Sequence, residues 1–360
     1  MLIRPLARTS FTASLLTGLV GLGACSSSGG GTTDGGDGTL PPLASGTATI
    51  SGASEPGYVN GPRGTARFSN PVNTAVGPDG MVYVADFNNN RIRAVDPETG
   101  DTETAVEVAG FRRPFGMLFS GSTLYVTTDD DSKGRHGLMT GSLWRVDVVA
   151  GTAKLIVEDI GRPRGLALLP DGHLALSDYQ HHVIESVDVT SGAITIIAGT
   201  FDQKGMVDAK GAAARFSTPY GIVFTGGHLL VADYDNNLIR AVELDGTVTT
   251  VSGSTGGGYA DGALGDAKFT KPQGMAITQD GTVYLTDIGN FRVRRIADTT
   301  VQTVSGDGTE GWLDSSDSLT AKLYGLEGLS VTADGTRVFV ADGGRGEMVP
   351  YNRIRRISFE

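Results

Sequence analysis

MVYVADFNNNRIRAV, Met81 to Val95, reads as a strand, a tight turn and a returning strand. Val82 and Val84 alternate with Tyr83 and Ala85, a period of two that suits a strand covered on both faces. Asp86 and the run Asn88 to Asn90 carry short polar side chains that bond their own backbone and tolerate left-handed conformations, so the chain reverses there at low cost. Arg91 to Val95 resumes the strand pattern.

The same fifteen-residue phrase returns ungapped at His173 to Val187, His228 to Val242 and Thr282 to Ile296. Two looser copies, Ser122 to Val148 and Thr336 to Ile357, hold insertions after the turn. The corresponding positions Asp86, Thr128, Asp178, Asp233, Asp287 and Asp342 are 42 to 55 residues apart. That is the spacing of a repeated four-stranded sheet, so the sequence predicts an all-β, six-bladed β-propeller. Its 53 glycines and 39% hydrophobic residues suit a chain with a large core and many turns. The single cysteine excludes an internal disulfide framework. A net charge of −11 argues against a general nucleic-acid binder.

Before the repeats, Met1 to Ala24 has Arg4 and Arg8, no acid, and an apolar run from Phe11 to Gly23, the layout of a secretory leader. Leu22-Gly23-Ala24-Cys25 resembles the lipobox of bacterial lipoproteins, which implies that Cys25 is lipidated and becomes the new N-terminus. An ordinary leader with an incidental cysteine is the alternative. The resemblance places the protein in the bacterial cell envelope, held to a membrane by its lipid anchor only; Ser26 at the second mature position points to the outer membrane. Residues 25–45 are then the acylated Cys25 and a Gly/Ser-rich tether, with a root-mean-square reach of roughly 25 Å. The propeller is assigned to residues 46–360.

Gly46 to Pro71 parallels Gly246 to Pro272, where a strand ends one blade and a loop leads into the next. Each blade therefore runs from an inner strand at a P-x-G-x-A segment to an outer strand, but the chain stops at Glu360 with the sixth outer strand missing. Thr47 to Ser51 supplies it, closing the ring between its first and last sheets. Phe68 to Val95, Phe216 to Val242 and Phe269 to Ile296 carry a resemblance to the NHL-repeat six-bladed propellers. The second blade departs most, with Thr128 in place of the aspartate and a loop enlarged by Asp129-Asp130-Asp131 through Ser142.

One face of such a propeller carries the loops between blades and the Asp/Asn turns; the other has tight turns such as Pro78-Asp79-Gly80. The loops leading into blades two and three are short and the other four are long, which predicts an asymmetric depression. Its floor is expected at the residue after the inner-strand proline: Val72, Phe115, Arg164, Tyr220, Gln273 and, by alignment, Glu327. These differ in all six copies while their neighbours repeat, as positions freed from the repeat's own packing do.

Five copies of a strand-end aspartate make no sense as a catalytic acid and are read as turn caps. Arg112, Arg113, Arg162 and Arg164 gather where the chain leads into blades two and three. They suit a carboxylate, a phosphate or an acidic glycan, or else they balance Asp129 to Asp131. Phe115 and Tyr220 suit stacking on a ligand or plugging the channel. The five histidines have no zinc spacing, and Asp129 to Gly134 places Lys133 where a calcium loop needs an oxygen ligand. Calcium-dependent lactonases share the propeller fold and hold their metal at the channel mouth; only Glu327, Asn73 and Gln273 offer such oxygens here. The expectation is a non-catalytic module without a cofactor that binds a protein, peptide or glycan on its loop-rich face through Arg113, Phe115, Arg162, Arg164, Tyr220, Gln273 and Glu327. The alternative is a calcium-dependent propeller hydrolase or lactonase with Glu327 and Asn73 on the metal.

Overall fold

The structure is a computed structural model and describes residues 45–344 and 351–359. The expected leader Met1–Ala24, Cys25 and the tether as far as residue 44 lie outside them. The described chain forms six antiparallel sheets, each with at least four strands. In blade 1 the strands are Pro71–Val76, Val82–Asp86, Arg91–Val95 and Thr102–Val106, running from the central channel outward. Blades 2 to 5 repeat this order from inner strands at Pro114–Ser120, Pro163–Leu168, Pro219–Thr225 and Pro272–Ile277.

Blade 6 takes its outer strand from the other end of the chain. Gly46–Ala53 pairs antiparallel with Asn352–Ser358, Gly46 opposite Ser358 and Ala53 opposite Asn352. Ile50, fully buried in this strand, packs with Phe68, Phe339 and Ile354 between blades 6 and 1. The expected closure is therefore present, two residues longer at its C-terminal end than Thr47 to Ser51.

The P-x-G pattern has a physical reason. A β-carbon on Gly116, Gly165, Gly221, Gly274 or Gly328 would stand no more than 3.0 Å from the backbone carbonyl oxygen of Arg164, Tyr220, Gln273, Glu327 or Val72, respectively. Each inner strand thus lies against the next with no room for a side chain, and the ring closes tightly around its axis. Asn73 replaces this glycine in blade 1.

The strand-end aspartates Asp86, Asp233 and Asp287 make no side-chain bond that caps the following turn, contrary to the expectation; they tie the incoming loop to a buried arginine. Asp86 accepts the Ser69 amide at 2.8 Å and, on its other oxygen, both Asn89 Nδ2 and Arg93 Nη1 at 2.9 Å. The pair recurs as Asp233 with Arg240 at 2.7 Å, Asp287 with Arg294 at 2.6 Å and Asp342 with Arg355 at 2.9 Å; all four arginines are fully buried. Blade 2 replaces both partners together: Trp144 stands where the arginine would and donates its Nε1 to Thr128 Oγ1 at 3.0 Å. The departure at Thr128 is thus half of a compensated exchange.

The long loops spread over the flanks of their blades. Gly61 bridges Thr102, Lys210 bridges Thr247, Gly262–Ala263 pairs with Thr300 and Val301, and Ser315 bridges Thr47. Much of their length seals the outer edges of blades 1, 4, 5 and 6, so it does not raise walls around the channel.

Candidate functional site

The loop-rich mouth of the channel is built from the expected ring, with one exchange. Asn73, Phe115, Arg164, Tyr220, Gln273 and Glu327 line a cavity of ≈ 50 Å³, one residue from each blade. Val72 is 1% exposed and packs in the core between blades 1 and 2, while Asn73, which stands where the other inner strands have glycine, lines the cavity.

Aromatic rings surround half of this mouth. Tyr220 is half-buried between Tyr179 and Tyr234, with centroids 5.1 and 4.9 Å away. Phe115 meets Phe87 edge-on at 6.2 Å. The Arg164 guanidinium lies 4.0 Å from the Phe115 centroid and 4.3 Å from that of Tyr179, a cation held between two ring faces. Phe87, Tyr179 and Tyr234 each follow the strand-end aspartate, so the turn that positions them is the one visible in the repeat. Sequence reading passed over these three, although an aromatic at that place in three of six copies was the signal.

The arginine cluster meets the blade-two acids. Asp129, 1% exposed, accepts bonds from Arg164 on both carboxylate oxygens and from Arg162 Nη2 at 2.6 Å. Burial opposes charge on Asp129, but Arg164 and then Arg162 outweigh it and hold the carboxyl below its ordinary range. Arg113 lies apart from the cavity, 3.8 Å from Asp130 and 3.4 Å from His136, which itself bonds Asp130 at 2.6 Å. Arg164 therefore lines the mouth as a neutralised planar group, while Arg162 and Arg113 sit on the rim. Glu327 and Asn73 share the cavity from adjacent blades. Among the described residues, no three His, Cys, Asp or Glu side chains converge as ligands for a metal ion.

Blade 3 carries a second anomaly. Glu185 takes the position of the buried arginine, 6% exposed, with His181 in place of the turn asparagine and bonded to Asp178 at 2.6 Å. Burial, and then Asp178, push the Glu185 carboxyl up to about 8, with His181 opposing. Burial lowers the His181 pKa, but its bond to Asp178 outweighs that and raises it above 6.5. A carboxyl with a raised folded pKa holds its proton more tightly in the folded chain, so stability falls as pH rises from 4.5 towards 8. The raised imidazole stabilises the fold below 6.5 and loses that contribution as pH climbs through its folded value, which is the same direction. Thermal melts between about pH 5 and pH 9 should therefore show a falling midpoint that Glu185→Gln flattens; an unchanged slope in that variant would reject the assignment.

Comparison with known proteins agrees with this architecture. Residues 68–94 match the NHL repeat family model. Protein SUPPRESSOR OF QUENCHING 1, chloroplastic, of Arabidopsis thaliana is 29% identical over 183 residues, 50% of this chain and 14% of that protein. NHL repeat-containing protein 2 of Bos taurus is 25% identical over 315 residues, 71% of this chain and 42% of that protein. The chain thus spans less than half the length of either relative. Among solved structures, an auxiliary nutrient binding protein from Bacteroides thetaiotaomicron superposes with a TM-score of 0.67 at 17% identity, covering 87% of this chain and 76% of that one. The chain is a six-bladed, all-β propeller that carries an NHL repeat in its first blade.

Proposed function

We propose that this propeller is a non-catalytic binding module that takes a glycan or peptide ligand at the loop-rich mouth of its channel. The observation that carries the reading is the ring itself: Tyr220 and Phe115, with the Arg164 guanidinium packed beside them, line one side, and Gln273 and Glu327 bring polar groups to the other. Flat apolar surface beside a few fixed hydrogen-bonding groups is the composition of a site for a ligand with a stackable face and a polar rim. The similarity to a protein described as nutrient binding supports the same class.

We further propose export and lipid anchoring through Cys25, supported by Leu22-Gly23-Ala24-Cys25 and the low-complexity run after it. The closing strand begins at Gly46 beside Ser358, on the tight-turn side. The experiment is calorimetric titration of residues 45–360 with a panel of oligosaccharides and peptides, with and without a calcium chelator. One class should bind, and Tyr220→Ala should weaken it at least tenfold, about 1.4 kcal/mol, without moving the melting temperature by more than a few degrees. Binding that ignores Tyr220→Ala and Gln273→Ala, or turnover of an ester or lactone, would overturn the reading.

A further inference from the structure

In blades 1, 4, 5 and 6 the incoming loop covers the outer edge in the same way each time. It adds a short bridge to the outer strand and inserts one polar side chain between the buried arginine and a threonine of that strand. Asp208 accepts from Arg240 at 2.5 Å and from the Thr250 amide at 2.9 Å; Asp261 accepts from Arg294 at 2.6 Å and from the Thr303 amide at 3.0 Å. Asp314 serves Arg355 and Thr49, and Asn60 serves Arg93 and Thr104.

Blade 3 lacks the cover. The loop before it is short, and among the described residues nothing bridges the outer side of its last strand, Ile194–Ala198. Ile194 is 38% exposed, whereas Thr102, Val248, Val301 and Thr47 at the matching position are at most 4% exposed. Ile196, opposite Glu185 in register, is 45% exposed. Natural edges are ordinarily guarded by charge or a lysine, and the outer strand of blade 2 has Lys154. ITIIA has none.

The group beneath this edge is also changed in kind, from a cation to a carboxyl. Glu185 occupies the arginine's register, as its pairing with Ile196 and that of Arg240 with Thr250 show, and its buried Oε2 has no hydrogen-bond partner. The groups around it are Asp178 and His181, with Asp202 beyond the imidazole. A cover for an arginine blade brings a carboxylate or an amide; on this blade a cation carried by the cover would displace the proton that burial holds on Glu185 and pair with the carboxylate.

From this we infer that the outer edge of blade 3 is a docking site for an extended segment of a partner protein, which adds a fifth strand along Ile194–Ala198 and extends a lysine or arginine to Glu185. Main-chain bonds to the edge supply affinity, and the buried carboxylate selects a basic residue at one position. The site lies on the flank of the ring, away from the channel mouth, and is independent of the ligand proposed there.

The test is selection of a random peptide library displayed on phage against the folded chain, followed by calorimetry on the enriched sequences. Enriched peptides should place Lys or Arg at a fixed position in an alternating apolar pattern, and should slow hydrogen exchange of the Ile194 and Ile196 amides. Ile196→Lys, an exposed substitution that leaves the core intact, and Glu185→Arg should each weaken binding by at least about tenfold. Failure to enrich any peptide, enrichment without a fixed basic residue, or binding indifferent to Ile196→Lys would overturn the proposal. So would sedimentation showing that this edge pairs with a second copy of the chain.

Discussion

A chain that starts at Ser54 is expected not to fold into a cooperative propeller, whereas a permuted chain in which Gly46–Ala53 follows Phe359 through a short turn melts close to the parent. The strand lost in the first case forms seven register pairs with Asn352–Ser358. It also buries Ile50 completely and Ala48 and Ala53 nearly so. Burial of one isoleucine contributes about 1.5–3 kcal/mol. Loss of the pairing beside it exposes Ile354 and Phe339 at a bare edge, and together these compare with a whole-domain stability of about 5–15 kcal/mol. The permutant keeps every contact. Ser358 and Gly46 are already register partners on the tight-turn side, so a hairpin there reproduces the turn that joins third and outer strands in the other blades. Its midpoint should fall within roughly 2–4 °C of the parent, the shift for about 1 kcal/mol in a domain of this size. Circular dichroism melts of both chains decide it; a truncated chain that melts cooperatively at the parent temperature would show that the ring does not depend on this strand.

Ring closure was legible because Gly46 to Pro71 repeats the text of Gly246 to Pro272, and a repeat array reports its missing member. The channel ring was legible for the same reason, as positions that vary between fixed neighbours. Val72 was misplaced because the bulge after the proline is shared with the other blades, and what differs in blade 1 is the next residue, where Asn73 replaces glycine and supplies the channel side chain while Val72 packs in the core. The flank of each blade was read less well. Arg93, Arg240, Arg294 and Arg355 share one register in the phrase, but their partners in the loops, Asn60, Asp208, Asp261 and Asp314, lie 32 to 41 residues upstream, and no local period connects them. The fate of the long loops is likewise a tertiary matter: length alone does not say whether a loop rises over the mouth or lies down as a fifth strand.

Those buried arginines set the second large effect. Arg294→Met should destabilise the fold by about 3–5 kcal/mol, because it leaves Asp287 buried with one oxygen deprived of its cation. It also removes the donor to the Lys268 and Ala260 carbonyls at 3.0 and 2.6 Å, which ties the incoming loop to the blade. The pair is dry, so the loss should persist in high salt, unlike that of the exposed pair Lys210 and Asp245, expected to be worth at most about 1 kcal/mol. Blade 2 indicates the remedy. Thr128 with Trp144 fills the same space by a neutral hydrogen bond, and the double variant Asp287→Thr with Arg294→Trp should recover at least about 1 kcal/mol relative to the single change Arg294→Trp. Recovery should stay incomplete, since the loop carbonyls and Asp261 lose their guanidinium, and blade 2 has no long loop to satisfy. Urea titrations of the parent, both singles and the double give the coupling energy directly. Additive losses would mean that the aspartate and the arginine act separately, and the exchange in blade 2 would then have no energetic meaning.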